Sequence, residues 1–405
     1  MCKKRIGLYG IGGLYNYGCE AIVRGTTELI RRMAPEASIT YYTPRAEDDR
    51  RQIADLKIEV AQMPVAKRSL FLKACGKVSR MFAVPFDATG ESYETILRGC
   101  DVLVSIGGDI YTIPEYVRRK KRYPYFNRLV RLGELAKERG VHEIIMGASI
   151  GPFGCFQRAV DYYADHLKCC EAIFCREQVT LEYLESIGVS SNAFFMPDPA
   201  FFVDNPADIP SYENARYLGI NLSPLSLREL QGGVSEDSVK ALAYQVETLM
   251  NETGLPAMFI PHVFAPLTED NDESFLRMVF EELDERHRRR CKLVAPKGFI
   301  DTKYYLSQCQ LVVAARMHCA VNAICVGVPT VFLSYSKKSI GMCDLVYGCR
   351  DWVVPLGDAD GLTKAVTLLY AEREEMHGRL QKRVGELRGQ AQNENAFSKL
   401  AHSLG

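Results

Sequence analysis

Arg316 and His318 stand two residues apart inside LVVAARMHCAVNAICVGVPTVFLSY, residues 311–335. An arginine offers a planar fork of N–H donors that matches a carboxylate or a phosphate. A histidine is the side chain whose ordinary pKa lies near neutrality, so it can give or take a proton there. Together they suit chemistry on a small anion that must receive a proton. The plainer alternative is an arginine in a structural salt bridge and a histidine capping a core polar group.

The surrounding pattern says which elements would position the pair. Residues 311–314 form an apolar run of the kind that becomes a buried parallel strand. Residues 320–326 are apolar enough for a helix packed on that sheet. Gly327 ends the helix, and residues 328–333 return to β-forming types. The pair therefore falls in a strand-to-helix turn. In open α/β sheets, ligands sit beyond the carboxyl ends of the strands. A helix N-terminus there adds free backbone N–H groups and the positive end of a dipole.

Composition excludes several classes. The chain has 405 residues, 47% hydrophobic and 25% charged, which fits a globular protein of about two domains. Its formal net charge is zero, so bulk electrostatics give no case for nucleic acid. No apolar run reaches the roughly 18–20 residues needed to span a bilayer. The start, MCKKRIGLYGIGG, turns glycine-rich where a secretory signal would stay apolar, so a cytoplasmic protein is expected. Fourteen cysteines include no C-x-x-C pair. Reduced, mostly buried thiols are expected, with no metal site and no cofactor.

The rest of the chain alternates strand and helix. Strands are expected at 5–10, 38–42, 101–106, 143–150, 172–175 and 193–196, with helices at 20–33, 124–140, 158–170 and 179–187. Glycine-rich or acidic loops follow the strands: residues 11–18, Gly107-Gly108-Asp109 and Pro197-Asp198-Pro199. Residues 45–90 read as irregular. Within them, 67–80 interleave Lys and Arg with Leu, Phe and Val. That amphipathic segment suits a partly buried helix with a solvated face, or a membrane surface. Residues 205–214, rich in Pro, Asp and Asn, are the expected linker. A second alternating set follows, with strands at 217–222, 257–260, 291–294, 311–314, 328–333 and 352–355, and one long terminal helix at 362–387. The expected fold is α/β: two doubly wound, Rossmann-like domains, residues 1–204 and 215–405, facing across a cleft as in glycosyltransferases of the B type. The final helix is free to pack back on the first domain.

Taken together, the motifs resemble the polysaccharide pyruvyl transferase family. The resemblance runs from about residue 5 to about residue 350. It is carried by GLYGIGGLYNYGCEAI at the start, VLVSIGGD at 102–109, GASIGPF at 147–153 and REQVTLEYLESIG at 176–188. PDPAFF at 197–202, PH at 261–262 and RMHCAVNAICVGVPTVFLSYSKK at 316–338 complete it. The resemblance implies transfer of the enolpyruvyl unit of phosphoenolpyruvate onto two hydroxyls of a sugar. A cyclic pyruvate ketal forms and phosphate is released, with no metal or nucleotide required. The implied acceptors are cell-surface glycans or their lipid-linked precursors, which would place the enzyme at the inner face of a membrane.

The resemblance also implies site residues. Arg176 and Arg316 would clamp the donor, the backbone from Met317 would add N–H groups, and Lys338 would be a third phosphate contact. His318 would be the general acid. Asn16, Gly18 and Glu20 match an acceptor loop in which Cys19 stands where an Asp is common. Asp109 stands where a third Gly is frequent. Asp109, Asp198 and His262 are the remaining acceptor-side candidates. Two other readings stay open: a glycosyltransferase using a nucleotide sugar, and a non-catalytic glycan- or anion-binding relative.

Overall fold

The structure is a computed structural model that describes residues 3–63, 93–113, 127–266, 270–334, 338–390 and 394–405. The basic segment 67–80 lies outside the described residues. The chain forms two compact units. The first comprises residues 1–14, 22–202 and 390–405, and the second residues 15–21 and 203–389.

The first unit is built on seven strands: β1 (Arg5–Tyr9), β2 (Ser38–Thr43), β3 (Glu59–Gln62), β4 (Val102–Ile106), β5 (His142–Ala148), β6 (Ala172–Cys175) and β7 (Ala193–Phe195). They lie in the order β3-β2-β1-β4-β5-β6-β7, all parallel. The order reverses between β1 and β4, the switch point of a doubly wound sheet. Helices Arg128–Glu138, Gln157–Cys169 and Gln178–Ser186 cross between successive strands from β4 onward. β4 reads VLVSI and is buried at every position, as a parallel strand covered on both faces must be. The sequence did not signal β3. It is a short edge strand with one buried residue, EVAQ, too brief to show alternation.

The second unit repeats the plan with six strands: β8 (Tyr217–Asn221), β9 (Ala257–Phe259), β10 (Lys292–Leu293), β11 (Cys309–Ala314), β12 (Thr330–Ser334) and β13 (Val353–Pro355). Their order is β10-β9-β8-β11-β12-β13, again parallel throughout. The reversal falls between β8 and β11. Leu311, Val312 and Val313 are fully buried.

Three boundaries differ from the plain reading of the sequence. Residues 205–214 are no loose linker, because they are tied into the second unit. Asn205 accepts from Lys303 Nζ (3.0 Å) and donates to the Cys325 carbonyl (3.0 Å). Tyr212 stacks on His377 with ring centroids 4.1 Å apart. The long terminal helix is two, Ala359–Ala371 and Arg373–Gln390. Beyond them, helix Glu394–Leu404 belongs to the first unit. Its stripe of Ala396, Phe397, Leu400 and Leu404 is buried, and Lys399 pairs with Glu171 (2.5 Å). Residues 15–21 count with the second unit for reasons that become visible at the site.

Candidate functional site

In the second unit, β11 delivers Arg316 as the N-cap of helix Met317–Cys325, with extended backbone angles (φ −89°, ψ 120°). Its carbonyl accepts from the amides of Cys319 (3.0 Å) and Ala320 (3.1 Å). A helix N-terminus presents first-turn amides and the positive end of its dipole, the general condition for an anion-binding helix end. The amide of Arg316 donates to Asn221 Oδ1 (3.0 Å) at the end of β8. Asn221 in turn donates to the Ile260 carbonyl (2.9 Å) after β9. The turn is thus pinned across the point where the strand order reverses.

The guanidinium of Arg316 is 8% exposed and already engaged. Its Nε and Nη2 donate to Asp272 Oδ1 (3.1 and 2.8 Å), and Nη2 also donates to Asp270 Oδ1 (2.5 Å). Asp272 is fully buried and accepts from the amides of His262 (3.1 Å) and Val263 (3.0 Å). Burial works against the charge on Arg316, but the two carboxylates more than offset it, and its pKa is raised. The structural salt bridge that the sequence left open is therefore present. A guanidinium out of water needs a counter-charge, and Asp272 supplies it. Nη1 makes none of these bonds.

Residues 15–20 lie against this turn. The Phe264 amide donates to the Tyr15 carbonyl (2.8 Å), and the Tyr17 amide donates to the His262 carbonyl (3.0 Å). The Tyr17 ring meets His262 edge-on, and its hydroxyl donates to the Pro296 carbonyl (2.6 Å). Asn16 caps the start of helix Tyr17–Met33. Its Oδ1 accepts from the Gly18 amide (2.9 Å), and its carbonyl accepts from the amides of Cys19 and Glu20. The Gly18 backbone touches the His318 ring so closely that a Cβ there would sit 2.6 Å from Nδ1. Only a glycine lets the loop approach. His318 is half-buried with its Nε2 enclosed. His262 is buried, and desolvation, followed by the fields of His318 and Arg316, drives its pKa well below the usual value. It is a neutral imidazole. Its Nε2 has no hydrogen-bond partner among the described residues.

Two expected acceptor residues have other employment. Glu20 is buried and accepts from the Phe299 amide (2.8 Å) at the start of helix Phe299–Leu306. Asp198, in the first unit, is fully buried. It accepts from Arg176 Nη1 (2.8 Å) and from the Ala200 amide (2.9 Å).

Arg176 is 2% exposed and belongs to the first unit, Arg316 to the second. Its Nε and Nη2 donate to Ser149 Oγ (3.0 and 2.9 Å), and Nη2 lies 3.7 Å from Asp109 Oδ1. Asp109 is 43% exposed. Burial opposes the charge on Arg176, yet Asp198 and Asp109 raise its pKa on balance. An arginine expected to clamp an anion is thus held by its own carboxylate. Lys338 opens helix Lys338–Tyr347, and its side chain lies outside the described residues.

The structure therefore gathers Asn16, Gly18, Glu20, His262, Arg316, Met317 and His318 into one unit, and Asp109, Arg176 and Asp198 into the other. The sequence reading missed Asp272, Asn221 and Ser149. Asp272 looks like any first-turn acid of helix Asp272–Glu282, and Asn221 like the end of a strand. Only the pairing of β8 with β9 and β11 makes them partners of Arg316.

A sequence profile described as polysaccharide pyruvyl transferase matches residues 16–337. Among solved structures, the Anabaena protein Alr3699/HepE in complex with UDP superposes with a TM-score of 0.58 at 10% identity, over 99% of each chain. A putative UDP-N-acetylglucosamine 2-epimerase from Listeria monocytogenes gives 0.58 at 13% identity, over 98% of each chain. UGT71G1 of Medicago truncatula, complexed with UDP-glucose, gives 0.56 at 11% identity, over 99% of this chain and 98% of that one. At such identities the likeness is one of fold, of the glycosyltransferase-B kind.

Proposed function

Because the chain belongs to the polysaccharide pyruvyl transferase family, we propose that it transfers the enolpyruvyl unit of phosphoenolpyruvate to a sugar diol, with His318 as the proton donor. The observation that carries this reading is the place of His318. It stands in the first turn of the helix after β11, at the strand-order reversal, with the Gly18 backbone packed on its ring.

The imidazolium protonates the methylene carbon of the donor, and the adjacent carbon becomes an oxocarbenium-like centre. One sugar hydroxyl adds there and loses its proton, which restores the imidazolium. The carbon–oxygen bond to phosphate then breaks. The second hydroxyl closes the ring, and its proton leaves with the phosphate. A positioned proton donor supplies roughly 10²–10⁴ in rate. A phosphate beside His318 favours the imidazolium that the first step needs. On this reading the donor meets the N-terminal end of helix Met317–Cys325 and the Nη1 edge of Arg316. Asp272 and Asn221 hold Arg316 in place. The acceptor is a glycan or lipid-linked precursor bearing a free diol, and a membrane-surface location follows if it is lipid-linked.

The test is phosphate release from phosphoenolpyruvate over a panel of sugar acceptors, with UDP-sugars run in parallel as donors. Acceptor-dependent phosphate that disappears in His318→Ala, with donor binding retained, is the expected result. UDP release from a UDP-sugar, with no phosphate from phosphoenolpyruvate, would replace this reading by a nucleotide-sugar transferase. Silence with every donor would leave a binding protein.

A further inference from the structure

A second cluster of reactive side chains lies in the first unit, at the opposite end of its sheet from Ser149 and Arg176. Glu143 is the second residue of β5, whose far end leads to Ser149. His166 is in helix Gln157–Cys169, and Cys170 is the C-cap of that helix. Four residues apart, His166 and Cys170 share a helix face. All three side chains are buried. Glu143 Oε2 lies 3.8 Å from His166 Nε2 and 3.9 Å from Cys170 Sγ, and the His166 Nε2 to Cys170 Sγ distance is 3.9 Å.

From this triangle we propose that Glu143, His166 and Cys170 form a binding site for a thiophilic divalent cation of the zinc type. The centre of a triangle with such edges is about 2.2 Å from each corner, and zinc bonds to O, N and S ligands run from about 2.0 to 2.3 Å. Edges near 3.9 Å are slightly longer than a tetrahedral zinc site with bonds of about 2.0 to 2.3 Å spans, so the side chains would close in by a few tenths of an ångström to share an ion and leave a fourth position open. One sulfur, one nitrogen and one oxygen suit zinc and exclude magnesium or calcium, which take oxygen ligands.

The surroundings have the features of a metal site's outer shell. The Tyr9 hydroxyl donates to Glu143 Oε1, which fixes the carboxylate and leaves Oε2 aimed at the other two groups. Tyr111 stacks on the His166 ring. Its hydroxyl lies 3.2 Å from Ser105 Oγ, and it would give up its 3.4 Å contact with His166 Nε2 when that nitrogen took an ion. Helix Arg128–Glu138 passes with Gly133 over the cluster, and a Cβ at that position would overlap the Glu143 carboxylate and the His166 ring. Glu143 and His166 also line a cavity of about 600 Å³. Its other walls include Glu138 and Asp165 as well as Glu134 and Glu171, which pair with Arg131 and Lys399. The fourth coordination position is left to water or a ligand from that cavity.

No C-x-x-C spacing marks this set, because its ligands come from a strand and from the end of the next helix.

The test uses the purified full chain and does not depend on transfer activity. Zinc is measured as isolated. The protein is then stripped with a chelator and titrated with cobalt(II). Expected are about one zinc per chain, intense tetrahedral cobalt bands in the visible, and a thiolate-to-cobalt charge-transfer band in the near ultraviolet. Cys170→Ser should abolish the charge-transfer band, whereas Cys169→Ser should leave it intact. Tyr9→Phe should keep the band and weaken binding roughly 10- to 100-fold, as loss of an outer-shell bond does. Circular dichroism reports whether each variant folds. A folded wild type with no charge-transfer band overturns the proposal, whatever the variants do. A band that survives in Cys170→Ser, or binding unchanged in Tyr9→Phe, overturns the assignment to these residues.

Discussion

Each unit buries an arginine against an aspartate at the carboxyl end of its sheet, but the two pairs brace different places. In the first unit, Ser149, Arg176 and Asp198 follow β5, β6 and β7, three strands at one side of the sheet and away from the reversal between β1 and β4. In the second, Asn221, Asp272 and Arg316 follow β8, β9 and β11 and straddle the reversal between β8 and β11. Strand-order reversals open the crevice where ligands bind in such sheets. The same kind of ion pair is thus an edge brace in one unit and, on the proposed function, the frame of the site in the other. The family resemblance implies a donor contact for Arg176; in the structure its guanidinium is engaged by Ser149 and Asp198.

The strongest test removes each carboxylate. Asp272→Ala and Asp198→Ala should each destabilise the protein by about 3–5 kcal/mol in denaturant unfolding, because a buried guanidinium is left unpaired. Only Asp272→Ala should also abolish phosphate release while still folded. Equal activity losses would erase the contrast.

Glycines give a finer comparison. A Cβ at Gly18 would displace the His318 ring, and a misplacement near 1 Å costs on the order of 10²-fold. Gly18→Ala should therefore lower kcat by about that factor with little change in Tm. Gly108→Ala, whose Cβ would lie 3.1 Å from Arg176 Nη2, should leave kcat within a few-fold. Reversed effects in steady-state kinetics would move the site to the first unit.

Lysine cannot present the planar fork. Arg316→Lys should raise the KM for phosphoenolpyruvate about tenfold, a change of about 1.4 kcal/mol. Arg176→Lys should act on stability and leave that KM alone. A matching rise in both would restore Arg176 to the donor.

The smallest effect is a pH slope. In the unfolded chain His262 takes up a proton below about pH 6.5, but the buried imidazole, with its pKa depressed by desolvation, does not. The unfolded state therefore binds more protons as pH falls. Stability should drop by at most about 1.4 kcal/mol per pH unit below that point. His262→Gln should flatten the acid limb by this amount in urea titrations. Arg176→Lys should not, because no imidazole contacts that pair.

Local pattern alone determined a good deal. Alternating apolar runs and helix periods marked most strands of both sheets, since each element's burial is written in its own residues. The turn carrying Arg316 and His318 was equally legible, because the strand, turn and helix are contiguous. Charge partners were not. Asp272 lies 44 residues before Arg316, and Asp198 lies 22 after Arg176. Nor did any spacing join Glu143 to His166 and Cys170, or assign residues 15–21 to the second unit. Strand order decided these, because a doubly wound sheet sets side by side strands that are far apart in the chain. A buried charge must take its counter-ion from whatever that order brings within reach.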